Sequence, residues 1–434
     1  MDTRQKLLVD RLIATPVARA LAVAVRGAGH VLRLDHAVQP EKVRTILVAK
    51  IVGMGSIVQA LPFLHGLKRE FPNARIIFLT GVNNRGLVDR LSCVDQALYL
   101  DDGNLLTLGT DTASALARLL VGGVDLFFDL EVYSGGTSLL GLMSLARNRY
   151  GFYRHTANFR KNIYTHLLSF NIRVPVSQLY LQLLRAAVPG AQVPTEVPPL
   201  PVRDDERAGL RARLQQAGQP LAAQYVVVNP NASDLLIERR WPADHVVEAV
   251  ERLQEMGLQV VLTGARSEAA YVGDIARRCP PGVVDSSGRL SLGELLALLE
   301  GAACVVTNDT GPMHLAIALR RPTVCLFGPG DPDHYGTFNR TTEIIYRGVA
   351  CSPCIYETDV PPCAGDNVCM QQITPLEVVD AVQRMMRGEP PRARPHRASI
   401  MMTGERGQPL GMLVQESAVD HPNAPAWRRR VRTG

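Results

Sequence analysis

The stretch CVVTNDTGPMHLAIALRRPTVCLFGP, residues 304–329, decides the fold. Its first residues, CVVTND, predict a short buried strand, and TVCLFG predicts another. Between them a run of Leu, Ala and Ile predicts a helix, with Asp309, Thr310 and His314 at its start. Polar side chains at the point where a strand passes into a helix are typical of the ligand-binding edge of an open parallel sheet.

Strands and helices alternate in the same way through most of the chain, which predicts an α/β fold. The Pro-rich segment VPGAQVPTEVPPLPV interrupts this alternation once. We therefore predict two Rossmann-like domains with parallel sheets that face each other across a cleft. The predicted boundaries are an N-terminal helical extension at 1–42, a first Rossmann-like domain at 43–187, a linker at 188–215, a second Rossmann-like domain at 216–387 and a disordered tail at 388–434.

Composition narrows the classes of function. The chain has 434 residues, of which 46% are apolar, enough to build real cores. The formal charge of +6 is diffuse, so it suits anionic ligands or an anionic membrane surface, and no nucleic-acid-binding motif is present. No apolar run is long enough to span a bilayer, and no secretory leader is evident. We expect a cytoplasmic protein with no nucleic-acid partner.

The N-terminal segment LIATPVARALAVAVRGAGHVLRL predicts a helix that carries arginines. Two interpretations are open for it. The favoured one is that the helix packs on the protein itself. The other is that it lies on the inner face of the cytoplasmic membrane as a peripheral contact.

The residues at the start of the helix in 304–329 suit an anion. A helix begins with unpaired backbone N–H groups and a partial positive charge, which favours a phosphate. Gly311 allows a ligand to approach the backbone closely, and Thr310 can cap the helix or bond a phosphate oxygen. His314, about one turn further on, adds a possible donor. The alternative is an ordinary helix cap followed by a surface histidine.

At this point the sequence resembles a known family. The pattern D-T-G-x-x-H-x-A followed by P-T-x-x-L-F-G-P resembles the nucleotide-sugar motif of glycosyltransferase family 9, the heptosyltransferase-type enzymes of lipopolysaccharide assembly. Three more stretches are similar to the family, in its order, across roughly residues 45 to 385. They are AKIVGMGSIVQALPFLHGLKREFPNARI, NPNASDLLIERRWPADHVVEAVERLQEMGLQVVLTGARSE and CSPCIYETDVPPCAGDNVCMQQITPLEVVDAV.

The resemblance implies a GT-B architecture, with the nucleotide-diphosphate sugar in the second domain and the acceptor in the first. It also implies inverting sugar transfer, heptose among the candidate sugars, to a glycan, glycolipid or lipopolysaccharide-type acceptor, without an essential metal. A departing diphosphate would then be stabilised by helix amides and basic side chains. The donor-binding residues carried over by this resemblance are Asp309, Thr310, Gly311, His314, Arg239, Asn231, Ser233 and Glu268.

One position departs from the family. The family usually has Asp in the first glycine turn as the base that deprotonates the acceptor, whereas this turn reads Met54-Gly55-Ser56. Ser56 has no useful basicity at neutral pH. Three interpretations are open: another carboxylate acts, the acceptor needs little help from a base, or the protein is catalytically degenerate.

The other residues near this turn supply the candidates for the acceptor side. The best replacement carboxylates are Asp129 and Glu131, at the end of VDLFFDLE. Lys50 and Gly55 are predicted to contact the acceptor, and Lys50 would favour an acidic one. A Lys50 that is merely a surface charge is the alternative.

Four of the eight cysteines are clustered as C-x2-C-x8-C-x5-C, namely Cys351, Cys354, Cys363 and Cys369. Four thiolates at such spacing can form a tetrahedral structural zinc site, the alternative being unliganded thiols or a labile cluster. A disulfide is disfavoured in a reducing cytoplasm. Any zinc is expected to brace the loop rather than to act in transfer.

Two other functions remain open. A nucleotide-sugar epimerase would keep the fold, but it needs several acid and base groups that cannot be assigned here. A nucleotide-sugar-binding or scaffold protein that has lost catalysis is permitted by Ser56.

Overall fold

Two six-stranded parallel sheets form the framework of the protein. The computed structural model describes residues 10–31, 36–192, 197–232, 236–355, 363 and 366–392. The strands of the first sheet are β1 (Thr45–Ala49), β2 (Arg75–Gly81), β3 (Gln96–Leu100), β4 (Leu126–Asp129), β5 (Asn148–Tyr153) and β6 (His166–Ser169). Those of the second are β7 (Tyr225–Asn229), β8 (Gln259–Leu262), β9 (Val284–Asp285), β10 (Cys304–Asn308), β11 (Thr323–Phe327) and β12 (Thr342–Tyr346).

Helices connect and cover these strands. In the first half they are α1 (Thr15–Val31), α2 (Met54–Gln59), α3 (Leu61–Glu70), α4 (Arg85–Val88), α5 (Leu105–Gly122), α6 (Gly135–Met143) and α7 (Val176–Ala187). In the second half they are α8 (Asp204–Gln216), α9 (Ala243–Glu255), α10 (Ala269–Arg278), α11 (Leu292–Gly301), α12 (Gly311–Ala318), α13 (Pro332–Tyr335), α14 (Val368–Gln371) and α15 (Pro375–Met386). None of the helices in the described ranges is both long and apolar enough to cross a bilayer.

Both sheets have the same topology. The strand order is β3-β2-β1-β4-β5-β6 in one and β12-β11-β10-β7-β8-β9 in the other, so each follows the order of a Rossmann fold. The order reverses between β1 and β4 in the first sheet and between β7 and β10 in the second. Ligands bind at such switch points, beyond the carboxyl ends of the strands. The two halves, called here the first and second lobes, therefore each have one defined place for a site.

The central strands form the cores because they are buried on both faces. β1, β4, β7, β10 and β11 consist mainly of Val, Ile, Leu, Phe and Cys, and none of their side chains is exposed, as expected of strands covered by helices on both sides. The two lobes contact each other through helices, since α2 of the first lobe packs on α12 of the second and α4 packs on α11. The predicted α/β architecture of two Rossmann-like lobes is confirmed.

Several elements differ from the prediction. The apolar run TILVAKIV predicts a strand at 45–52, but β1 ends at Ala49, and strands β6 and β12 and helix α7 occur where the sequence pattern predicts no element. Within the segment predicted as a linker, residues 204–216 form α8, which packs on α11 of the second lobe. The start of the N-terminal extension, residues 1–9, and the predicted tail from 393 onward lie outside the described residues.

The helix predicted in the N-terminal extension is present as α1. Ala18 and Ala22 lie on the buried face of α1, and the helix packs on α6. The small alanine side chains allow this close approach. The interpretation that this segment packs on the protein is therefore confirmed for one face of α1.

Candidate functional site

The switch point of the second lobe is held together by amide and hydroxyl side chains. Asn229, the last residue of β7, donates from Nδ2 to Thr310 Oγ1 at 3.0 Å and to Thr307 Oγ1 at 3.2 Å. Thr307 is on β10 and Thr310 directly precedes α12. These bonds fix the turn between β10 and α12 against the neighbouring strand, so the start of α12 has a defined position.

The beginning of α12 is open to a ligand. Thr310 has extended backbone dihedral angles (φ −148°, ψ 177°), and its side chain makes no capping hydrogen bond to the helix. A Cβ built on Gly311 would meet no atom within 4 Å. Pro312 follows, and its missing N–H costs nothing in the first turn. The partial positive charge of the helix is thus available to an anion at this point.

A partly buried basic side chain adds positive charge beside this turn. Arg239 donates from Nη1 to the Asp309 carbonyl oxygen at 3.0 Å, and its Nε lies 3.7 Å from Asp309 Oδ2. Asp309 in turn packs so closely on the 328–331 loop that a Cβ on Gly330 would lie 2.6 Å from its Oδ2. Asp309 and Arg239 therefore fix the turn between β10 and α12.

Two other predicted donor-binding residues line the same edge. Asn231 donates to Asn229 Oδ1 at 3.0 Å and to the Thr263 carbonyl at 2.8 Å, so it connects β7 to β8. Glu268 Oε2 accepts from the Ala265 amide at 2.7 Å, just after β8. Asn231 is buried and its amide is engaged in these bonds, which suits a structural role better than direct phosphate contact. Ser233, the eighth predicted residue, lies outside the described residues.

His314 lies at the boundary between the lobes. Its ring packs on Gly55 of α2, where an added Cβ would be 2.4 Å from His314 Cδ2. Burial, together with the charge of Arg239, lowers the pKa of His314 to about 4. The imidazole is therefore neutral at pH 7 and can donate one hydrogen bond. The interpretation of His314 as an ordinary surface histidine is wrong.

The switch point of the first lobe holds an ion pair. The Lys50 ammonium, directly after β1, donates to Glu131 Oε2 at 2.8 Å. Glu131 Oε1 accepts from the amides of Ile51 and Val52 at 2.9 and 3.0 Å. Burial alone would raise the pKa of Glu131, but the Lys50 charge and these hydrogen bonds hold it below its ordinary value. Glu131 is therefore ionised at neutral pH.

This pair faces a cavity of about 200 Å³ that both lobes line. Lys50, Glu131 and Ser56 form part of its wall. Ser56 is hydrogen-bonded to Tyr180 of α7, whose pKa burial raises to about 12. The remaining lining residues are Leu130, Val132, Tyr133, Arg154, Phe170, Ile172, Val176 and, from the second lobe, Tyr335. The cavity combines cations and a carboxylate with aromatic and apolar walls.

Asp129 is not placed for catalysis. Its side chain is 0% exposed and forms an ion pair at 2.8 Å with Arg160, which is equally buried. The same carboxylate accepts hydrogen bonds from the hydroxyls of Thr137 and Tyr164 and from the Glu131 amide. No substrate hydroxyl can reach it, so its position corrects the hypothesis that Asp129 is a catalytic base. It orients Glu131 instead, and Glu131 is the carboxylate that meets the cavity.

The four clustered cysteines do not form a ready metal site. Cys354 and Cys369 are buried, which raises the pKa of each thiol, and neighbouring thiols of the cluster add to the rise. The four are thus near enough to interact. Among the described residues, however, no group of three or more His, Cys, Asp or Glu side chains is arranged to hold a metal ion.

Comparison with known proteins identifies the family. The model of the family described as glycosyltransferase family 9 (heptosyltransferase) matches residues 136–364, more than half of the chain. The chain belongs to glycosyltransferase family 9. The resemblance carried by the motifs in the sequence is therefore confirmed.

Similar proteins in this family come from several bacteria. Lipopolysaccharide heptosyltransferase 1 of Pseudomonas aeruginosa is 35% identical over 123 residues, which cover 28% of this chain and 34% of that protein. Lipopolysaccharide heptosyltransferase 2 of Escherichia coli is 32% identical over 111 residues, 25% of this chain and 32% of that protein. The chain thus aligns with about a third of the length of these curated relatives.

Solved structures of family 9 share the fold along almost their whole length. A glycosyl transferase of family 9 from Veillonella parvula has a TM-score of 0.67 at 18% identity and is covered to 99%, with 81% of this chain. The E. coli ADP-heptose lps heptosyltransferase II has a TM-score of 0.65 at 20% identity and is covered to 98%, with 79% of this chain. The expected GT-B fold is therefore confirmed.

Several residues of this family 9 protein were missed from the sequence. Asn229 is the last residue of β7, and an amide side chain at that strand end is the signal that could have indicated the switch-point network. Tyr180 and Tyr335 lie far from the motifs and reach the cavity only through packing, so nothing local in the sequence marked them. Arg154 directly follows β5, and its place at a strand end is the one signal that could have indicated it.

Proposed function

We propose that this protein is a glycosyltransferase that transfers a sugar, heptose being the first candidate, from a nucleotide diphosphate to a lipopolysaccharide-type or other glycolipid acceptor. The observation that carries this proposal is the pairing of the two switch points. An open helix start with a partly buried arginine in one lobe lies beside a cavity that contains an ionised carboxylate and is lined by both lobes. Family membership and the heptosyltransferase relatives support the choice of sugar.

The donor is proposed to place its diphosphate at the start of α12. The backbone around Gly311 and the guanidinium of Arg239 would stabilise the negative charge that develops as the bond between sugar and phosphate breaks. Neutral His314 adds a hydrogen-bond donor without adding charge. In this proposal the protein's own groups, rather than a metal ion, carry that stabilisation.

Glu131 is proposed to be the base that replaces the missing aspartate at Ser56. One of its oxygens is held by two backbone amides, while Oε2 accepts from Lys50 and has a lone pair left for a substrate hydroxyl. The acceptor oxygen would lose its proton to Glu131 and attack the anomeric carbon as the diphosphate departs from the opposite face. A single displacement of this kind inverts the configuration of the sugar.

The test is release of ADP from ADP-heptose, measured with and without a lipid A-based acceptor. Acceptor-dependent ADP release supports transfer, whereas conversion of the donor sugar without acceptor would support an epimerase. Binding of ADP that stabilises the fold, with neither reaction, would support the catalytically degenerate alternative that Ser56 permits. UDP- and GDP-sugars in the same assay determine which nucleotide is used.

A pair of variants tests the anion site at α12. Gly311→Asp places a carboxylate at the start of the helix, where it is compatible with the helix dipole but repels a diphosphate. We expect loss of the ADP-induced rise in Tm with little change in the Tm of the free protein. Gly109→Asp adds the same charge at another helical glycine with open space and is expected to bind ADP normally.

The zinc expectation remains a separate proposal. Cys351, Cys354 and Cys363 precede α14 and Cys369 lies in it; their thiols interact, but they would have to move together to bind zinc. Metal analysis of the purified protein, and of a Cys351→Ser variant, tests it. Zinc in equimolar amount that the variant loses would support the proposal, and zinc-free protein with unchanged Tm would refute it.

A further inference from the structure

The exposed apolar side chains of the protein are concentrated on one layer of the first lobe. Of the eighteen large hydrophobic side chains that are exposed among the described residues, eleven lie on α1 and the turn before it, on α5, or on α6 and the two residues after it. They are Leu12, Ile13, Val17, Leu21, Val23, Leu105, Leu106, Leu120, Val121, Met143 and Leu145. Apolar area on this scale marks an interaction surface.

The three helices form a single layer. Their inward side chains, among them Ala18, Leu116 and Leu140, belong to one hydrophobic cluster on the same face of the first sheet. The layer is therefore packed on the sheet by its inward side chains and carries exposed apolar side chains on the same three helices. We call it the α1/α5/α6 face.

Exposed arginines are the unpaired charges that the α1/α5/α6 face presents, since Arg19 and Arg118 are exposed whereas Asp10 and Asp111 are engaged with backbone amides. Among the described side chains of α1, α5 and α6, the charged ones are Arg19, Arg118 and one acidic residue, Asp111. Asp111 is only half-buried, and it is engaged with the Asp101 amide. By contrast α9 of the second lobe contains Asp244 and three glutamates in 13 residues. Arginines among exposed Leu and Val side chains complement an anionic lipid surface.

The face adjoins the cavity of the first lobe. Asp10, in the turn before α1, accepts hydrogen bonds from the amides of Gly135 and Gly136 at 2.8 and 2.7 Å. Tyr133, two residues before α6, lines the cavity. Leu12 and Ile13 are therefore anchored next to the mouth of the site that is proposed to take the acceptor.

We propose that the α1/α5/α6 face docks on an anionic lipid bilayer. Leu and Val side chains of the face enter the headgroup region, and Arg19 and Arg118 contact lipid phosphates. The benefit of this placement rests on the proposed function, since a glycolipid acceptor held in the same bilayer would reach the cavity beside Tyr133 without leaving the membrane.

The experiment is co-sedimentation of the full chain with vesicles. Vesicles of equal parts phosphatidylcholine and phosphatidylglycerol are compared with vesicles of phosphatidylcholine alone. The expected result is binding to the anionic vesicles that weakens as salt is raised. Absence of binding to the anionic vesicles at low salt would overturn the proposal.

Two matched pairs of variants locate the surface. Leu12→Ser with Ile13→Ser is expected to lower partitioning about tenfold, whereas Phe338→Ser with Leu376→Ser, which removes similarly exposed side chains from the second lobe, is expected to leave it unchanged. Arg19→Glu is likewise expected to lower it about tenfold, and Arg211→Glu on α8 is not. If a control variant lost as much vesicle binding as its partner in the α1/α5/α6 face, the assignment of the membrane-binding surface to that face would be contradicted.

Two further measurements separate the competing outcomes. Light scattering during size exclusion reports a dimer that covers the face with a second copy, and a dimer without vesicle binding would refute the membrane proposal. ADP-induced stabilisation is measured in every variant. If the protein binds vesicles but not ADP, the membrane-docking proposal is supported and the proposed donor site is refuted. If the protein binds ADP but not vesicles, only the membrane-docking proposal is refuted.

Discussion

The imidazole of His314 packs on Gly55, and this contact joins α12 of the second lobe to α2 of the first. The anion site and the cavity are thus connected by a position that has no room for a side chain. The relative placement of the proposed donor and acceptor sites depends on it.

Gly55→Ala tests this connection. Its Cβ would lie 2.4 Å from His314 Cδ2, so either the ring or α2 must move. Because displacements of about 1 Å can cost a hundredfold in rate, we expect turnover to fall about tenfold or more. Steady-state kinetics measures the effect. Gly109→Ala, where a Cβ meets nothing, is the control and should keep wild-type turnover; equal rates in both variants would show that the contact is not important.

His314→Gln tests the environment of the imidazole through stability. The folded pKa of about 4 lies below the ordinary value of 6.5, so the unfolded chain binds more protons between these values. Stability conferred by the neutral form is present above pH 6.5 and is lost as the pH falls toward 4. From pH 7 to pH 5 the wild type should therefore lose roughly 2 kcal/mol more unfolding free energy than the variant. Urea unfolding at both pH values measures this difference, and identical losses would mean that His314 is solvated.

Glu131→Gln tests the proposed base. Loss of a general base typically costs about 10²–10⁴-fold, so turnover should fall in that range while the ADP-induced rise in Tm is kept. The pH profile adds a second readout. Since Lys50 helps to hold the pKa of Glu131 below 4.5, the wild-type rate should decline only at a pH below that value. Lys50→Met should move the decline to higher pH. A Gln variant with full activity would show that the acceptor needs no base at this position.

Asp129→Asn tests the buried ion pair with Arg160 that holds Asp129 next to Glu131. Asn keeps the shape of the side chain but leaves the Arg160 guanidinium buried without its counter-charge. Removing one partner of a buried ion pair typically costs roughly 3–5 kcal/mol, so Tm should fall clearly. Asp205→Asn, at an exposed ion pair with Arg203, should change stability by less than about 0.5 kcal/mol. If Asp129→Asn instead lowered turnover at unchanged stability, Asp129 would have to be restored as a catalytic candidate.

The sequence predicted the two-lobed fold well because the signals were local. The apolar strands and the turn at Asp309 and Thr310 are each determined by neighbours in the chain, and the same holds for the start of α12. The roles of Asp129 and Glu131 could not be separated in this way. They are two residues apart at the same strand end. Arg160, more than thirty residues later in the chain, forms a buried ion pair with Asp129, whereas Glu131 lines the cavity. The packing of His314 on Gly55 is equally non-local.

The hydrogen bonds from Gly135 and Gly136 to Asp10 mean that the turn before α1 is a structural part of the first lobe. A shortened protein lacking its first fourteen residues would lose an apolar turn, but it would also strip two amides of their acceptor beside Tyr133. Poor sugar transfer by such a deletion would therefore be misread as detachment from lipid. Point changes at Leu12 and Ile13, which leave Asp10 in place, are the sound way to ask that question.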